Sequence, residues 1–422
     1  MANMIVPKSQ QAEFIRAESE LVIEQARKDK AEKYAKLGEP IELKGIAIDL
    51  HIRGDYAWTA ENSHVARKVD LENGKTAKLY KGHSGPVTCL AFCDLKPGSG
   101  DGGILLTGSW DKTIKAWNAE TGELISTTPA QEDFVKSLHV VPSKNLLVSG
   151  GSDKAVRFWD LSTVSSSAPL KAAGSLSSHR RPVEALASYV AANGDLSLFT
   201  SDSAGLINAW SLRYEGDIWR ATVLPDGEMR HHRTGVTEMF YGEGHLWSSS
   251  SDETVQVVPY PLPPPTAKKP KPIPPITLPT LSKALLPLPL VPSLAANADA
   301  FPYLLAASGD IIRVYDISEL DSPELLREVT GHWHDVTRLR VWLRSDKENK
   351  AAKSVWIVSA GLDRTLRRWK LSGMPLISTP DIVVPETQST KTMPPPAPAA
   401  KADNELTEEE ERELAELMGD DD

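Results

Sequence analysis

Short apolar runs recur along the chain, and polar turns separate them in a fixed order. Val87 to Phe92 is one run, and Leu105-Leu106-Thr107-Gly108-Ser109 is the next. The turn Trp110-Asp111 follows, and then the alternating Ile114-Lys115-Ala116-Trp117. The same order returns at Ser149-Gly150-Gly151-Ser152-Asp153 with Ala155 to Trp159-Asp160, and again at Ser359, Asp363, Leu366 and Trp369. Gly82-His83 and Gly331-His332 precede two of these units. Runs of this length with Gly and Asp turns predict β-strands. Self-similarity at about 45 residues predicts a four-stranded sheet repeated around an axis, a β-propeller, because one such sheet cannot bury both faces alone.

Seven units are predicted, at 41–80, 81–127, 128–177, 178–223, 231–280, 281–330 and 331–384. Unit one ends on Ala66-Arg67-Lys68-Val69-Asp70 in place of Trp-Asp, after which Glu72-Asn73-Gly74-Lys75 reads as a hairpin turn. Unit three has Gln131 where the others have His. Unit four has Ser178-His179, Val183 and Trp210, with Ala204 at the turn Asp position. Unit five has His231-His232, Val236 and Asp252, and Val258-Pro259 replaces Trp-Asp. Unit six has Gly309-Asp310 and Tyr315-Asp316.

These markers resemble the WD-repeat proteins over about 340 of the 422 residues. The resemblance implies a closed, all-β, seven-bladed propeller. It also implies a buried hydrogen-bonded series of His, Ser, Asp and Trp in each complete blade, here expected as His83, Ser109, Asp111 and Trp117. Asp153, Trp159, His179, Trp210, His232, Asp252, His332, Asp363 and Trp369 are the matching markers elsewhere. A buried Asp needs such partners, because an unpaired buried charge is costly. The family binds partners at the entrance formed by the inter-blade loops and the Asp-bearing turns. That places Trp110, Arg180, Arg181, Arg233 and Trp333 as candidate partner-binding residues. For Trp110 the alternative is packing on a neighbouring loop.

Three appendages flank or interrupt the expected propeller at 41–384. Residues 1–40 form an N-terminal extension, read as a helix over 9–37 that ends at Gly38 and Pro40. Its apolar residues Phe14, Ile15, Leu21, Val22 and Ala26 make a loose stripe, so it either lies across the propeller or binds a partner. Residues 259–292 hold 13 of the 31 prolines and read as an insertion, either a surface loop or a polyproline ligand. Residues 385–422 are a Pro/Ala-rich tether and a disordered acidic tail with helix-forming signals. Thr407 and Glu410 make a capping box, and Leu414, Leu417 and Met418 make a short apolar stripe. The tail is expected to dock as a helix on a partner or to serve only as a solubilising segment.

Charge and chemistry narrow the function. The net charge is −10, and residues 385–422 carry −9 of it. The propeller is therefore not generally basic, and general nucleic-acid binding is not expected. A local Arg patch keeps an RNA- or chromatin-associated subunit as the alternative. No run of 18 apolar residues predicts a membrane span. Cys89 and Cys93 share one face of a strand and suit inert packing in the cytoplasm or nucleus. No nucleotide loop, nucleophile elbow or zinc quartet is present. Neither catalytic residues, cofactor nor metal is expected, although His231-His232 and His332-Trp333-His334 imitate ligands. The expected function is a non-catalytic scaffold or adaptor joining proteins in a multisubunit complex, through the entrance face and the acidic helix.

Overall fold

The computed structural model describes residues 18–96, 98–261, 271–294, 301–345 and 353–373. Among them lie one long helix, α1 (Glu18–Lys33), and seven four-stranded antiparallel sheets. Each sheet is one blade. Blades 1 to 6 begin on inner strands Ala47–Arg53, Val87–Cys93, Val135–Val141, Val183–Val190, Val236–Gly242 and Ser282–Pro287. Their outer strands are Thr76–Lys81, Leu124–Pro129, Lys171–Leu176, Ile218–Met229, Ile276–Thr277 and Glu324–Val329. Blade 7 takes three strands from the end of the described chain, Val336–Ser345, Lys353–Gly361 and Thr365–Lys370, and its fourth, Ile41–Glu42, from the beginning.

That fourth strand closes the ring. It is only two residues long, pairing Ile41 with Leu366 and Glu42 with Thr365. Side chains of blade 7 reinforce it. Arg367 donates to the carbonyls of Tyr34 (2.9 Å) and Leu37, and Arg368 Nε donates to the carbonyl of Glu39 at 3.2 Å. The segment read as the start of unit one thus belongs to the last blade.

Apolar residues alternate along the strands and meet between blades. Seven buried clusters result, one at each joint of the ring. Ile41, Leu50 and Trp342 belong to the cluster that joins blade 7 to blade 1. Leu106 and Trp159 share the one between blades 2 and 3. Burying one such side chain is worth about 1.5–3 kcal/mol, so the joints supply most of the driving force. Every inner strand also carries a register shift after its first residue, a bulge that tightens the twist where the strands crowd round the axis.

Two expectations change. The proline-rich stretch 259–292 is largely blade material. Ile276–Thr277 is the outer strand of blade 5 and Ser282–Pro287 the inner strand of blade 6, with Leu278, Leu285 and Leu288 buried. Proline bars interior ladder positions but not a two-residue edge strand, so the prolines sit between the strands. Residues 262–270 of this stretch lie outside the described residues. The helix begins, as described, at Glu18, and Leu21, Val22 and Ala26 on it are exposed. Cys89 and Cys93 are buried free thiols in one apolar cluster, and burial pushes both up to about 12.

Candidate partner-binding site

The loops of the entrance face are held from within. In blade 2, His83 Nδ1 meets Asp111 at 2.8 Å, and His83 Nε2 meets Thr107 Oγ1 at 2.7 Å. Trp117 Nε1 donates to the same Thr107 oxygen at 2.9 Å. The hydroxyl of the series is therefore Thr107, not Ser109. Trp117 pairs across the ladder with Leu105, so its indole reaches Thr107 one diagonal step away, while Ser109 lies a further step along. Ser109 instead donates to the carbonyl of Gly85 and accepts the Asp111 N–H. Blade 7 repeats the geometry with His332, Ser359, Asp363 and Trp369.

The departures from the pattern are repaired locally. Ala204 does occupy the turn position of blade 4, but Asp202, two residues earlier, supplies the carboxylate. It meets His179 Nδ1 at 3.1 Å, and Thr200 takes both His179 and Trp210. Blade 5 keeps His232, Ser248 and Asp252 without the Trp. In blade 3, Gln131 Nε2 takes the His place on Ser149 at 3.1 Å, and Arg157 holds Asp153. Blade 1 replaces the series by a buried ion pair, Arg67 Nη2 to Glu61 at 2.9 Å. Burial alone would raise the Asp111 carboxyl, but hydrogen bonds from His83 and Thr113 outweigh it and hold the group well below the usual carboxylate range. The same contest leaves Asp252 and Asp363 lowered. Each carboxylate also takes the N–H two residues on, which pins the turn: Thr113 at 3.1 Å, Thr254 at 3.1 Å, Thr365 at 3.1 Å.

The axial channel is electrically closed. Arg338 Nε donates to Asp49 at 3.1 Å, and Arg340 Nη1 donates to Glu238 at 2.8 Å. The second oxygens of the carboxylates take backbone N–H groups of the next blades, Leu90 at 2.9 Å and Leu285 at 2.8 Å. Two cations and two anions from blades 1, 5 and 7 thus compensate one another around a cavity of about 290 Å³. Desolvation there presses His51 down to about 4, against the pull of Asp49 and helped by Arg340 and Arg338. It presses His139, bonded to Ser188 Oγ at 2.8 Å, down to about 4 as well. Sequence reasoning missed this quartet, since no local signal joins residues so far apart in the chain.

Helix α1 covers one side of the entrance. Lys30 pairs with Asp310 in the blade 6 turn, and Arg27 lies close enough to lower both His334 and Asp335, beside the larger effects of burial and of Lys283. Trp333, in the same loop, is only half-buried, and its N–H donates to Asp363 at 3.3 Å. The opposite side, over blades 2 to 5, is open. Trp110 is 45% exposed there and lies flat on Phe134 of the next blade, ring centroids 4.7 Å apart and planes at 13°. Phe134 carried no sequence marker. Arg180 and Arg181 are exposed, and Arg233 is exposed with its Nη2 on the Asp252 carbonyl at 3.3 Å. Leu414, Leu417 and Met418 lie outside the described residues. Among the described residues, no group of three or more His, Cys, Asp or Glu is placed to hold a metal ion, and no helix is long and apolar enough to cross a membrane.

The sequence profile of the WD40 family (WD domain, G-beta repeat) matches residues 74–118 and 122–160. The chain is 29% identical over 420 residues to an uncharacterised WD repeat-containing protein of Schizosaccharomyces pombe, covering 96% of this chain and 98% of that one. It is 32% identical over 124 residues to a nuclear distribution protein of Coccidioides posadasii, 26% of each chain. It is 25% identical over 216 residues to a kinesin-like protein of Homo sapiens, half of this chain and 12% of the other. Propellers of this kind are, in general, platforms for binding other proteins.

Proposed function

We propose that this propeller of WD40 repeats is a non-catalytic scaffold in a multisubunit assembly, and that it receives a partner protein on the open side of its entrance face. The Trp110–Phe134 stack carries this reading. A large indole is half-exposed while a ring from the neighbouring blade holds it rigid. Such a residue loses little side-chain freedom on binding and supplies much apolar area, which is how interface anchors work. Arg180, Arg181 and Arg233 border the same open side and would steer an acidic segment towards it.

The acidic segment 405–418 is a second proposed contact, through Leu414, Leu417 and Met418 on a separate partner surface. Two free, buried thiols suit work in the cytoplasm or nucleus. Affinity purification of the full chain followed by mass spectrometry tests the reading. Trp110→Ala should remove at least one stable partner while the thermal midpoint stays within about a degree of the wild type, since surface changes usually cost under about 0.5 kcal/mol. An unchanged partner set would sink the entrance-face reading.

A further inference from the structure

Blade 3 departs from its neighbours at one dipeptide, and the departure opens a cleft. Gly82-His83 precedes blade 2 and Gly331-His332 precedes blade 7, but Ala130-Gln131 precedes blade 3. In blades 2 and 7 the glycine lies against the blade's own indole. A Cβ there would stand 3.2 Å from the Trp117 ring and 2.5 Å from the Trp369 ring. Ala130 has such a Cβ, so its loop cannot lie as close to Trp159. A cleft of about 410 Å³ is found at this place, with Gln131, Glu132, Arg157 and Trp159 among its walls.

The cleft is short of hydrogen-bond donors. Gln131 is only 7% exposed, and its Nε2 donates to Ser149 Oγ. Ser149 also receives the Trp159 N–H at 2.9 Å. Gln131 Oε1 has no partner. A buried acceptor without a donor is costly, and an incoming N–H relieves that cost. Glu132 stands exposed at the rim. Arg157 is already engaged, at 2.5 Å to Asp153 and 3.9 Å to Glu132, so two carboxylates share one guanidinium. Local charge is therefore negative, beside a flat indole.

We propose that this cleft receives an arginine side chain of a partner protein, its guanidinium donating to Gln131 Oε1 and Glu132 and lying against the Trp159 ring. A guanidinium is planar, always charged and carries several donors in one plane, which matches two acceptors beside an indole better than an ammonium does. The proposal rests on the preceding reading only in that the arginine belongs to a bound protein.

The test needs no partner. The full chain, labelled with 15N at its indoles, is titrated with N-acetyl-arginine methylamide, and a Trp159→Phe spectrum assigns the Trp159 signal. A saturable shift of that signal is expected, with none from N-acetyl-norleucine methylamide. Gln131→Met keeps the length and removes the acceptor, and should weaken binding at least tenfold. Gln131→His restores the histidine of the series, and should abolish binding while raising the thermal midpoint. A silent Trp159 signal, an equal response to the norleucine compound, or wild-type affinity in Gln131→Met would overturn the proposal. Those results would leave the effect of Trp110→Ala on partners untouched, so the two readings fail separately.

Discussion

Thr337 Oγ1 donates to the carbonyl of Ala47 at 2.8 Å, across the joint where the last blade meets the first. The two residues are 290 positions apart in the chain. Thr337 sits at the inner-strand bulge of blade 7, and the same position repeats the device elsewhere. Thr88 reaches Val135 at 2.6 Å from blade 2 to blade 3, and Thr237 reaches Ser282 at 2.9 Å from blade 5 to blade 6. At two other joints an ion pair stands in, Lys136 with Glu184 and Lys283 with Asp335, both at 2.8 Å. The bulge frees a side chain from its own sheet to bond the next one.

Thr337→Val keeps the side-chain shape and removes this link. Closure otherwise rests on a two-residue strand, so the loss should appear in global stability, at about 1 kcal/mol. Urea unfolding measures it, and Thr88→Val should cost a similar amount if the ring unfolds as one unit. No change in either midpoint would mean that the bulge bonds are dispensable.

The carboxylate of blade 4 should behave as a member of the buried series despite its shifted position. Asp202→Ala leaves His179 without its acceptor and frees the N–H groups of Ala204 and Leu206. A cost of about 1–3 kcal/mol is expected, comparable with Asp111→Ala in blade 2. Differential scanning calorimetry of both variants decides it, and a neutral Asp202→Ala would remove Asp202 from the series.

Residues near the proline-rich stretch should be sensitive where they form blade 5. Ile276→Ala and Leu278→Ala each remove buried atoms from the joint between blades 5 and 6. The loss should be about 2 kcal/mol apiece, the lower end of the core range because the strand lies at the edge. Wild-type stability in both would show that this strand is not part of the core.

The channel histidines set a pH dependence. In the unfolded chain a histidine titrates near about 6.5. In the native channel His51 and His139 are held down to about 4. Between these values the unfolded state binds protons that the native state refuses, so stability falls as pH drops through this window. Asp363, lowered in the fold, adds a further loss only at more acid pH, below the ordinary carboxylate range. The variant with both His51→Gln and His139→Gln should show a shallower fall of unfolding free energy between pH 6.5 and 4. An unchanged slope would show that the two groups do not titrate differently on folding.

Gly331 and Gly38 enclose the Trp369 ring. A Cβ would stand 2.5 Å from it at Gly331 and 2.6 Å at Gly38, where φ is also +73°. Gly331→Ala should cost about 1–3 kcal/mol by overpacking. Gly38→Ala should cost more, because strain is added to the clash. Thermal midpoints of the two variants test the order, and a reversed order would contradict it.

Local chemistry announced much of this protein. Period-two alternation, Asp-bearing turns and the spacing of Trp117, Trp159, Trp210 and Trp369 were enough to place four-stranded blades and to bury those four indoles. Such signals are short-range, because strand, turn and ladder step are all set within about ten residues. The choice of Thr107 over Ser109 was not legible, since both lie on one face of the strand and only the ladder register tells which one the indole reaches. Nor could a one-dimensional pattern show that Asp202 replaces the missing turn carboxylate, or that Phe134 supports Trp110. The tertiary structure alone decided that Ile41–Glu42 completes blade 7, that Asp49, Glu238, Arg338 and Arg340 neutralise one another in the channel, and which side of the entrance α1 leaves open. Each of these joins residues more than 100 positions apart. Their energy depends on distances that exist only once the ring has closed.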